Sequence, residues 1–202
     1  MPLKILFMGT PQFGKEFLEH IYLSKNFSVQ AVYTQPPKKS MRGQKSNKSP
    51  VHEIAENFNL NIRNPNFLSR NEEELKYFKS LSADIVIVVA YGKLIPKEFL
   101  SLSKNGFINI HASLLPKWRG AAPIQRAIMN LDKVTGISVM KIVEKLDAGP
   151  TMFKKEIKLK YELETNVNLV SFENQRIEIS FNNYLDKEFI KNLSAKLYEW
   201  TN

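Results

Sequence analysis

The sequence predicts an α/β fold, with a Rossmann-like, mostly parallel sheet and helices on both faces. Short apolar runs alternate with amphipathic helical stretches, which is the pattern of parallel βαβ units. The stretch from Asp84 to Ala90 is apolar from Ile85 onward, so we expect a central strand covered on both faces. The chain has 202 residues, 43% of them hydrophobic, so we expect one domain over 1–202 with a sizeable core.

The first elements form a βαβ unit. Lys4 to Met8 is an apolar strand, residues 9–14 turn into a helix that runs to about Ser24, and Ser28 to Thr34 is a second strand. The turn departs from the dinucleotide-binding fingerprint, because Pro11 replaces its second glycine and has no N–H to offer a phosphate. No acidic residue ends the second strand, so we do not expect NAD binding.

A basic loop follows at residues 35–50. Its three prolines, one glycine and three serines exclude a helix or a central strand. It contains five basic residues and no acidic one: Lys38, Lys39, Arg42, Lys45 and Lys48. The net charge of +9 is therefore partly local, as expected of a protein that binds a polyanion. A solvated loop in a lysine-rich sequence is the alternative.

The remaining elements complete the α/β pattern. We predict a helix from Ser69 to Leu81, because its first turn is acidic. We predict another from Pro123 to Met129, because proline is favoured at the first position of a helix. We also predict helices at 51–59 and 97–102 and strands at 61–63, 106–110, 136–143 and 152–159. We expect the last two strands to be antiparallel around the turn at 146–150, and the tail from Thr165 to be mostly helical.

Several classes of protein are excluded by composition. No apolar run approaches the ~20 residues of a membrane span, and the N-terminus lacks the features of a signal peptide. The absence of cysteine excludes disulfides, thiolate zinc sites and cysteine nucleophiles. We find no plausible metal-binding cluster in the sequence. We expect a cytoplasmic protein that acts as a monomer.

Asn109 and His111 lie at the end of the strand at 106–110. Side chains alternate along a strand, so both residues face the same way. Ligand sites of open α/β sheets lie at the carboxyl ends of strands. An amide stabilises a developing oxyanion, and an imidazole exchanges protons near neutral pH. The pair suits transfer of a carbonyl group, whereas a strand end with a hydrogen-bonded histidine is the alternative.

The residues around this pair carry a family resemblance. Asn-x-His-x-Ser-Leu-Leu-Pro at 109–116, followed by Arg-Gly at 119–120, resembles the signature of formyltransferases that use 10-formyltetrahydrofolate. Residues 120–128 resemble the branch that formylates methionyl-tRNA. The resemblance implies transfer of a formyl group from 10-formyltetrahydrofolate to the α-amino group of initiator methionyl-tRNA, for translation initiation. It implies folate and tRNA as partners and no metal.

The resemblance also implies site residues. Asn109 and His111 would donate to the oxyanion, and Asp147, otherwise part of an ordinary Asp-x-Gly turn, would be the third catalytic residue and take up the proton. The basic loop would enter the major groove of the tRNA acceptor end and depend on Arg42. The residues implied for the folate site are Ala90, Tyr91, Gly92, Leu94, Ile95, Ser113, Leu114, Leu115, Pro116 and Val143.

The resemblance covers residues 1–160 well and 161–202 poorly. The usual member of the branch continues into a C-terminal β-barrel that helps to hold tRNA, and this sequence has no counterpart to that barrel. Whether the chain is naturally short or an N-terminal domain of a longer protein stays open. Two other functions stay open as well: a sugar-nucleotide N-formyltransferase, and a noncatalytic tRNA-binding module that retains the fold.

Overall fold

The structure is a computed structural model, which describes residues 1–39, 46–158, 167–173 and 176–181. Side chains are described in the first two of these ranges, apart from residues 39, 46 and 158. The helices in the described residues are α1 (Gln12–Leu23), α2 (Pro50–Asn57), α3 (Glu72–Ser80), α4 (Lys97–Leu100) and α5 (Pro123–Met129). The strands are β1 (Leu3–Gly9), β2 (Phe27–Tyr33), β3 (Lys38–Lys39), β4 (Ser46–Asn47), β5 (Ile62–Arg63), β6 (Ile85–Val89), β7 (Phe107–His111), β8 (Val134–Lys141), β9 (Thr151–Lys158), β10 (Val167–Glu173) and β11 (Arg176–Phe181).

A mostly parallel sheet organises the described part of the chain. Its seven strands follow the order β5-β2-β1-β6-β7-β8-β9. The first five are parallel, whereas β8 and β9 are antiparallel to their neighbours. Strand β6 lies in the middle, as its continuous apolar run predicts. The α/β fold class and the antiparallel pairing of the last two sheet strands are confirmed.

Helices pack on both faces of the sheet and bury two apolar clusters. On one face, Phe78 of α3 stacks on Phe107 of β7 at 5.8 Å between ring centroids and meets Phe99 of α4 edge-on at 5.2 Å. On the other face, Leu18 of α1 and Val51 of α2 pack against β1 and β2. Burial on both faces explains why β1 and β6 lack polar alternation.

The prediction of a mostly helical tail is wrong for the residues that the structure describes. Strands β10 and β11 form an antiparallel hairpin, with Val167 paired to Phe181 and Glu173 to Arg176. The sequence from 176 to 181 alternates polar and apolar residues, a period of two that suits a strand. Residues 182–202 lie outside the described part of the chain.

The basic loop carries a short pairing of its own. Strands β3 and β4 pair antiparallel, with Lys38 opposite Asn47 and Lys39 opposite Ser46. This pairing agrees with the prediction of a loop that has no helix and no central strand. Each strand has only two residues, and together they form a two-stranded sheet apart from the seven-stranded one. Among the described residues, no helix has the length and apolar character needed to cross a membrane.

Candidate active site

Strand β7 brings Asn109 and His111 to the carboxyl edge of the sheet, between parallel β6 and antiparallel β8. Phe107, two residues before Asn109, is buried in the core and fixes which face the three side chains share. The His111 side chain is 7% exposed. The residue types that the sequence singled out therefore stand beside each other on one face.

Asp147 joins this pair from the turn between β8 and β9. Its Oδ1 accepts a hydrogen bond from Asn109 Nδ2 at 3.2 Å, and its Oδ2 accepts one from the backbone N–H of Gly120 at 2.8 Å. The same Oδ2 lies 3.7 Å from His111 Nδ1, which is too long for a direct hydrogen bond. The Asp147 side chain is 11% exposed. The structure thus brings the three predicted catalytic residues together, with Asn109 and His111 both facing the Asp147 carboxylate.

The second ring nitrogen of His111 has a defined partner. Nε2 lies 2.8 Å from the backbone carbonyl oxygen of Trp118. A carbonyl only accepts hydrogen bonds, so Nε2 carries a proton in both charge states of the ring. The other ring nitrogen, Nδ1, faces Asp147.

Residues with left-handed backbone angles cluster around this site. Trp118, Gly120 and Ala122 have φ values of +58°, +84° and +54°, and Asp147 has +42°. Residues other than glycine rarely adopt this conformation, and such strain tends to collect at functional sites. The loop between β7 and α5 turns sharply enough to present the Trp118 carbonyl and the Gly120 N–H to the site.

Ser138 of β8 anchors the first half of that loop. Its fully buried hydroxyl donates to the Ser113 carbonyl at 2.7 Å and accepts from the Leu115 N–H at 3.0 Å. From β9, Lys154 Nζ donates to the Leu115 carbonyl at 2.5 Å. These bonds hold the loop against the antiparallel strands.

Asp132 anchors the second half of the loop. Its Oδ1 accepts from Lys117 Nζ at 2.5 Å and from Asn130 Nδ2 at 2.7 Å, and its Oδ2 accepts from Trp118 Nε1 at 2.6 Å. Burial acts to raise the pKa of Asp132, but hydrogen bonds from Lys117, Asn130 and Trp118 outweigh it and hold the pKa below its usual range. The carboxylate therefore stays ionised at neutral pH.

Gly149 fixes the turn that carries Asp147. A Cβ atom at this position would overlap the Lys141 carbonyl oxygen at the end of β8. Only glycine lets the two backbone segments approach this closely. Two residues earlier, Asp147 lies within hydrogen-bond distance of Asn109 on β7.

The turn after β6 forms another side of the site. Ala90 and Gly92 have φ values of +49° and +76°, and the Tyr91 carbonyl accepts from Thr10 Oγ1 at 2.9 Å and Gln35 Nε2 at 3.1 Å. Among the residues implied for folate, those that are exposed are Ala90, Gly92, Leu94, Pro116 and Val143. Those that are half-buried are Ile95 and Leu114, and those that are buried are Tyr91, Ser113 and Leu115. The buried side chains leave main-chain groups as their means of contact with a ligand.

The predicted RNA-binding residues have separate environments. Lys38 is exposed, whereas Lys48 Nζ donates to both carboxylate oxygens of Glu56, at 2.7 and 2.8 Å. Arg42, Lys45 and the side chain of Lys39 lie outside the described part of the molecule. The charge of Lys48 is therefore partly compensated within the protein.

A second buried carboxylate, Glu74 of α3, lies by β5, at the opposite end of the sheet order. It accepts from Tyr33 Oη at 2.7 Å and from Arg63 Nε and Nη2 at 3.0 and 2.6 Å. Burial, then the hydrogen bond and charge of Glu74, raises the pKa of Tyr33. A polar cavity of about 200 Å³ adjoins this cluster, lined by Ile62, Arg63, Asn64, Pro65 and Glu74.

Sequence reasoning missed the residues that hold the site in place. Asp132 reads as an ordinary residue after a helix, and no local signal marks it. Ser138 offered a signal, since it is a polar residue among apolar ones in β8 and such a residue is informative when buried. Within residues 1–39 and 46–158, no group of three His, Asp or Glu side chains could hold a metal ion.

The chain resembles known formyltransferases in sequence. The family described as Formyl transferase matches residues 3–176. Methionyl-tRNA formyltransferase of Pelagibacter ubique (strain HTCC1062) is 62% identical over 160 residues, covering 79% of this chain and 51% of that protein. The enzyme of the same name from Caldicellulosiruptor saccharolyticus is 40% identical over 192 residues, covering 95% of this chain and 60% of that protein. The chain thus spans between half and three-fifths of the length of these two relatives.

Solved structures agree on the fold. Phosphoribosylglycinamide formyltransferase from Bacillus halodurans superposes with a TM-score of 0.64 at 17% identity, covering 98% of this chain and 89% of that one. Glycinamide ribonucleotide transformylase 1 from Geobacillus kaustophilus gives a TM-score of 0.64 at 21% identity, covering 80% of this chain and 86% of that one. At these identities the likeness shows a shared fold.

Proposed function

The chain belongs to the formyl transferase family, and from this premise we propose that it transfers a formyl group from 10-formyltetrahydrofolate to the α-amino group of initiator methionyl-tRNA. The observation that carries the proposal is the convergence of Asn109 and His111 on Asp147 at the carboxyl edge of the sheet. The names of the two relatives described above support methionyl-tRNA as the acceptor. We also propose that the protein acts in the cytoplasm and as a monomer; in support of the monomer, one chain supplies all three residues.

Asn109 and His111 have donors for the charge that develops on the formyl oxygen. Asn109 Nδ2 has two N–H groups, and the one that is not bonded to Asp147 can donate to that oxygen. The protonated His111 ring can donate through Nδ1–H, because Nε2–H is already bonded to the Trp118 carbonyl. Loss of one such donor typically costs about 3 kcal/mol of transition-state stabilisation.

Asp147 has the charge and the position to receive a proton. The attacking amine must be neutral, and its proton must leave as the new C–N bond forms. Asp147 lies 3.7 Å from His111 Nδ1, so an ionised carboxylate stabilises the protonated ring. It can accept the amine proton directly or through water, and the proton returns to the folate nitrogen as the old C–N bond breaks.

The turns at 90–95 and 112–118 would hold the formyl donor. Leu94 is 83% exposed and Val143 is 38% exposed beside these turns, so each presents apolar surface that a bound pterin would cover. The left-handed backbone at Ala90 and Gly92 leaves main-chain groups accessible there. When bound, 10-formyltetrahydrofolate supplies an activated formyl group, and the residues around it position the amine and exclude water.

The basic loop would bind the acceptor end of the tRNA. Arg42 is the residue on which this part of the proposal depends, with Lys38, Lys39, Lys45 and Lys48 contributing to phosphate binding. Each phosphate contact adds about 0.7–0.9 to the slope of log affinity against log salt concentration.

The decisive experiment offers the 202-residue protein 10-formyltetrahydrofolate with two acceptors in parallel, charged initiator methionyl-tRNA and an aminodeoxy-sugar nucleotide. We expect formylated tRNA alone. Formylation of the sugar nucleotide alone would assign the chain to the other branch. Folate binding without transfer to either acceptor would contradict the proposed activity for this chain.

A matched variant separates the two halves of the proposal. Arg42→Ala should weaken use of tRNA while folate binding stays unchanged, and Lys104→Ala, at an exposed basic residue just before β7, should change neither. Equal loss of tRNA use and folate binding in Arg42→Ala would show that the loop is structural.

A further inference from the structure

The hydrogen-bond partner of His111 Nε2 lies in the turn at Lys117 and Trp118, and the side chains of this turn bond to Asp132. The Trp118 carbonyl that accepts this proton belongs to a residue with a left-handed backbone. Such a conformation persists only where its surroundings determine it. The indole N–H of the same residue donates to Asp132 Oδ2 at 2.6 Å, and the preceding Lys117 donates to Oδ1 at 2.5 Å.

We infer that Asp132 is a positioning residue for His111. By holding the Lys117–Trp118 turn, its carboxylate keeps the Trp118 carbonyl against Nε2 and leaves Nδ1 directed at Asp147. Asp132 is buried beyond the end of α5, and its effect on the proposed catalytic side chains passes through Trp118. Its consequence for catalysis rests on the proposed function, whereas its consequence for the His111 ring does not.

Both oxygens of Asp132 are needed, which makes an isosteric variant informative. In Asp132→Asn the side-chain amide has one oxygen and one NH₂ group. If the amide oxygen points toward Lys117 and Asn130, the NH₂ group faces the Trp118 indole N–H. If the amide is reversed, the NH₂ group faces the donors of Lys117 and Asn130. In either orientation a donor meets a donor, so the turn loses part of its support without a change in side-chain size.

Imidazole and indole N–H signals of the ¹⁵N-labelled protein test the inference without any turnover. The chain has three histidines and two tryptophans, so His20→Gln and His52→Gln assign the ring signals, and Trp118→Phe assigns the indole. We expect the His111 Nε2 proton to exchange slowly in the wild type and about tenfold faster or more in Asp132→Asn, because loosening the turn opens this buried hydrogen bond. If the Trp118 indole signal moves in this variant but His111 exchange does not change, the inference is overturned.

Kinetics provide the second test. Asp132→Asn and Trp118→Phe should each lower kcat about 10- to 100-fold with KM within about threefold, because a small misplacement of His111 affects the reacting geometry more than binding. The double variant should lose no more than about threefold beyond either single variant, since both changes break the same connection. Additive losses overturn the inference.

Two controls complete the design. Lys133→Met changes an exposed residue next to Asp132 and leaves the Lys117 and Trp118 bonds to the carboxylate in place, so kcat should stay within about threefold of wild type. If Asp132→Asn does not fold, Trp118→Phe carries the same exchange measurement at His111. A wild-type chain that forms no formylated product contradicts the proposed function, while the exchange rates still decide the role of Asp132.

Discussion

Two buried carboxylates, Asp147 and Glu74, are held in contrasting ways. Glu74 is bound by the permanent charge of Arg63 and by the neutral hydroxyl of Tyr33, at distances of 2.6 to 3.0 Å. Asp147 is bound by an amide and a backbone N–H, and its titratable neighbour His111 stands 3.7 Å away. One carboxylate has short bonds to a guanidinium and a phenol, and the other faces an imidazole ring across a gap too long for a direct hydrogen bond.

The two environments differ in a way that fits the roles we propose, a structural one for Glu74 and a catalytic one for Asp147. Glu74 accepts bonds from groups that do not exchange protons near neutral pH, so removal of one partner would leave a buried charge unpaired and destabilise the fold. Asp147 sits among left-handed backbone positions, with a gap to His111 that a reacting group can share. Both carboxylates are largely buried, so it is the nature and distance of their partners that distinguish them.

The largest expected effect is the loss of transfer when the Asp147 cluster is broken. Asn109→Ala and Asp147→Asn should each lower the single-turnover rate about 10²- to 10³-fold, because each removes an interaction with charge that develops in the reaction. Thermal unfolding should change little. Wild-type rates in either variant at equal folate occupancy would contradict the assignment of these residues.

The next effect concerns stability at the other carboxylate. Glu74→Gln should lower the free energy of unfolding by about 2–3 kcal/mol, since Arg63 loses its ion partner; Arg63 is partly exposed, so the cost lies below that of a fully buried pair. Urea unfolding measures it, with Glu73→Gln on the exposed side of α3 as the control. Transfer activity should persist in the folded variant, and its loss would remove the distinction between the two clusters.

A smaller effect appears at alkaline pH. Burial, and then Glu74, raises the pKa of Tyr33, so the folded protein keeps this hydroxyl neutral when the unfolded chain ionises. The resulting stability is complete below about pH 10 and declines above it by about 1.4 kcal/mol per pH unit. Tyr33→Phe should reduce that decline while lowering stability at neutral pH by about 1.5–2 kcal/mol, for a hydrogen bond to a charged group.

Tyr91→Phe is the matched comparison for Tyr33→Phe. Burial also raises the pKa of Tyr91, whose hydroxyl has no hydrogen-bond partner within the described residues. This variant should reduce the alkaline decline without a cost at neutral pH. Unfolding curves recorded between about pH 7 and 11 test both variants, since the tyrosine of an unfolded chain ionises within that range. Identical neutral-pH stabilities for the two would contradict the contribution of the Glu74 bond.

The smallest effect concerns the lysines of the basic loop. It tests whether a lysine that is already paired with a carboxylate contributes less to RNA binding than an exposed lysine that pairs with no carboxylate among the described residues. Lys38→Met should lower the salt slope of tRNA binding by about 0.7–0.9 if the side chain contacts one phosphate. Lys48→Met should lower it less, because Glu56 already binds that ammonium group. Filter binding across salt concentrations measures both slopes. A larger decrease in slope for Lys48→Met than for Lys38→Met would contradict this prediction.

The sequence pattern predicts the strands of the sheet correctly, whereas our prediction for the tail is wrong. Apolar runs at β1 and β6 and proline at the start of α5 are local signals of elements that the sheet then buries. The prediction of a mostly helical tail fails because 176–181 alternates with a period of two and forms a strand with 167–173. That alternation is visible in the sequence, so the error lies in the choice of period.

The candidate site divides in the same way. Side-chain alternation suffices to place Asn109 and His111 on one face, because their relation is local to one strand. The approach of Asp147, from a turn far along the chain, follows from the family resemblance and not from spacing. The sequence does not show that the Trp118 carbonyl and the Gly120 N–H bond to His111 and Asp147, because backbone groups acquire specific partners only when the loop is folded.

The sequence by itself determined the α/β class, the strand that carries Asn109 and His111, and the concentration of positive charge between Thr34 and Pro50. Tertiary structure alone decided that the turn containing Gly149 brings Asp147 to Asn109 and that the Trp118 carbonyl accepts a hydrogen bond from Nε2 of His111. Local periodicity follows from the geometry of a single strand or helix. The chemistry of this site depends on contacts between segments far apart in sequence, which only the folded chain brings together.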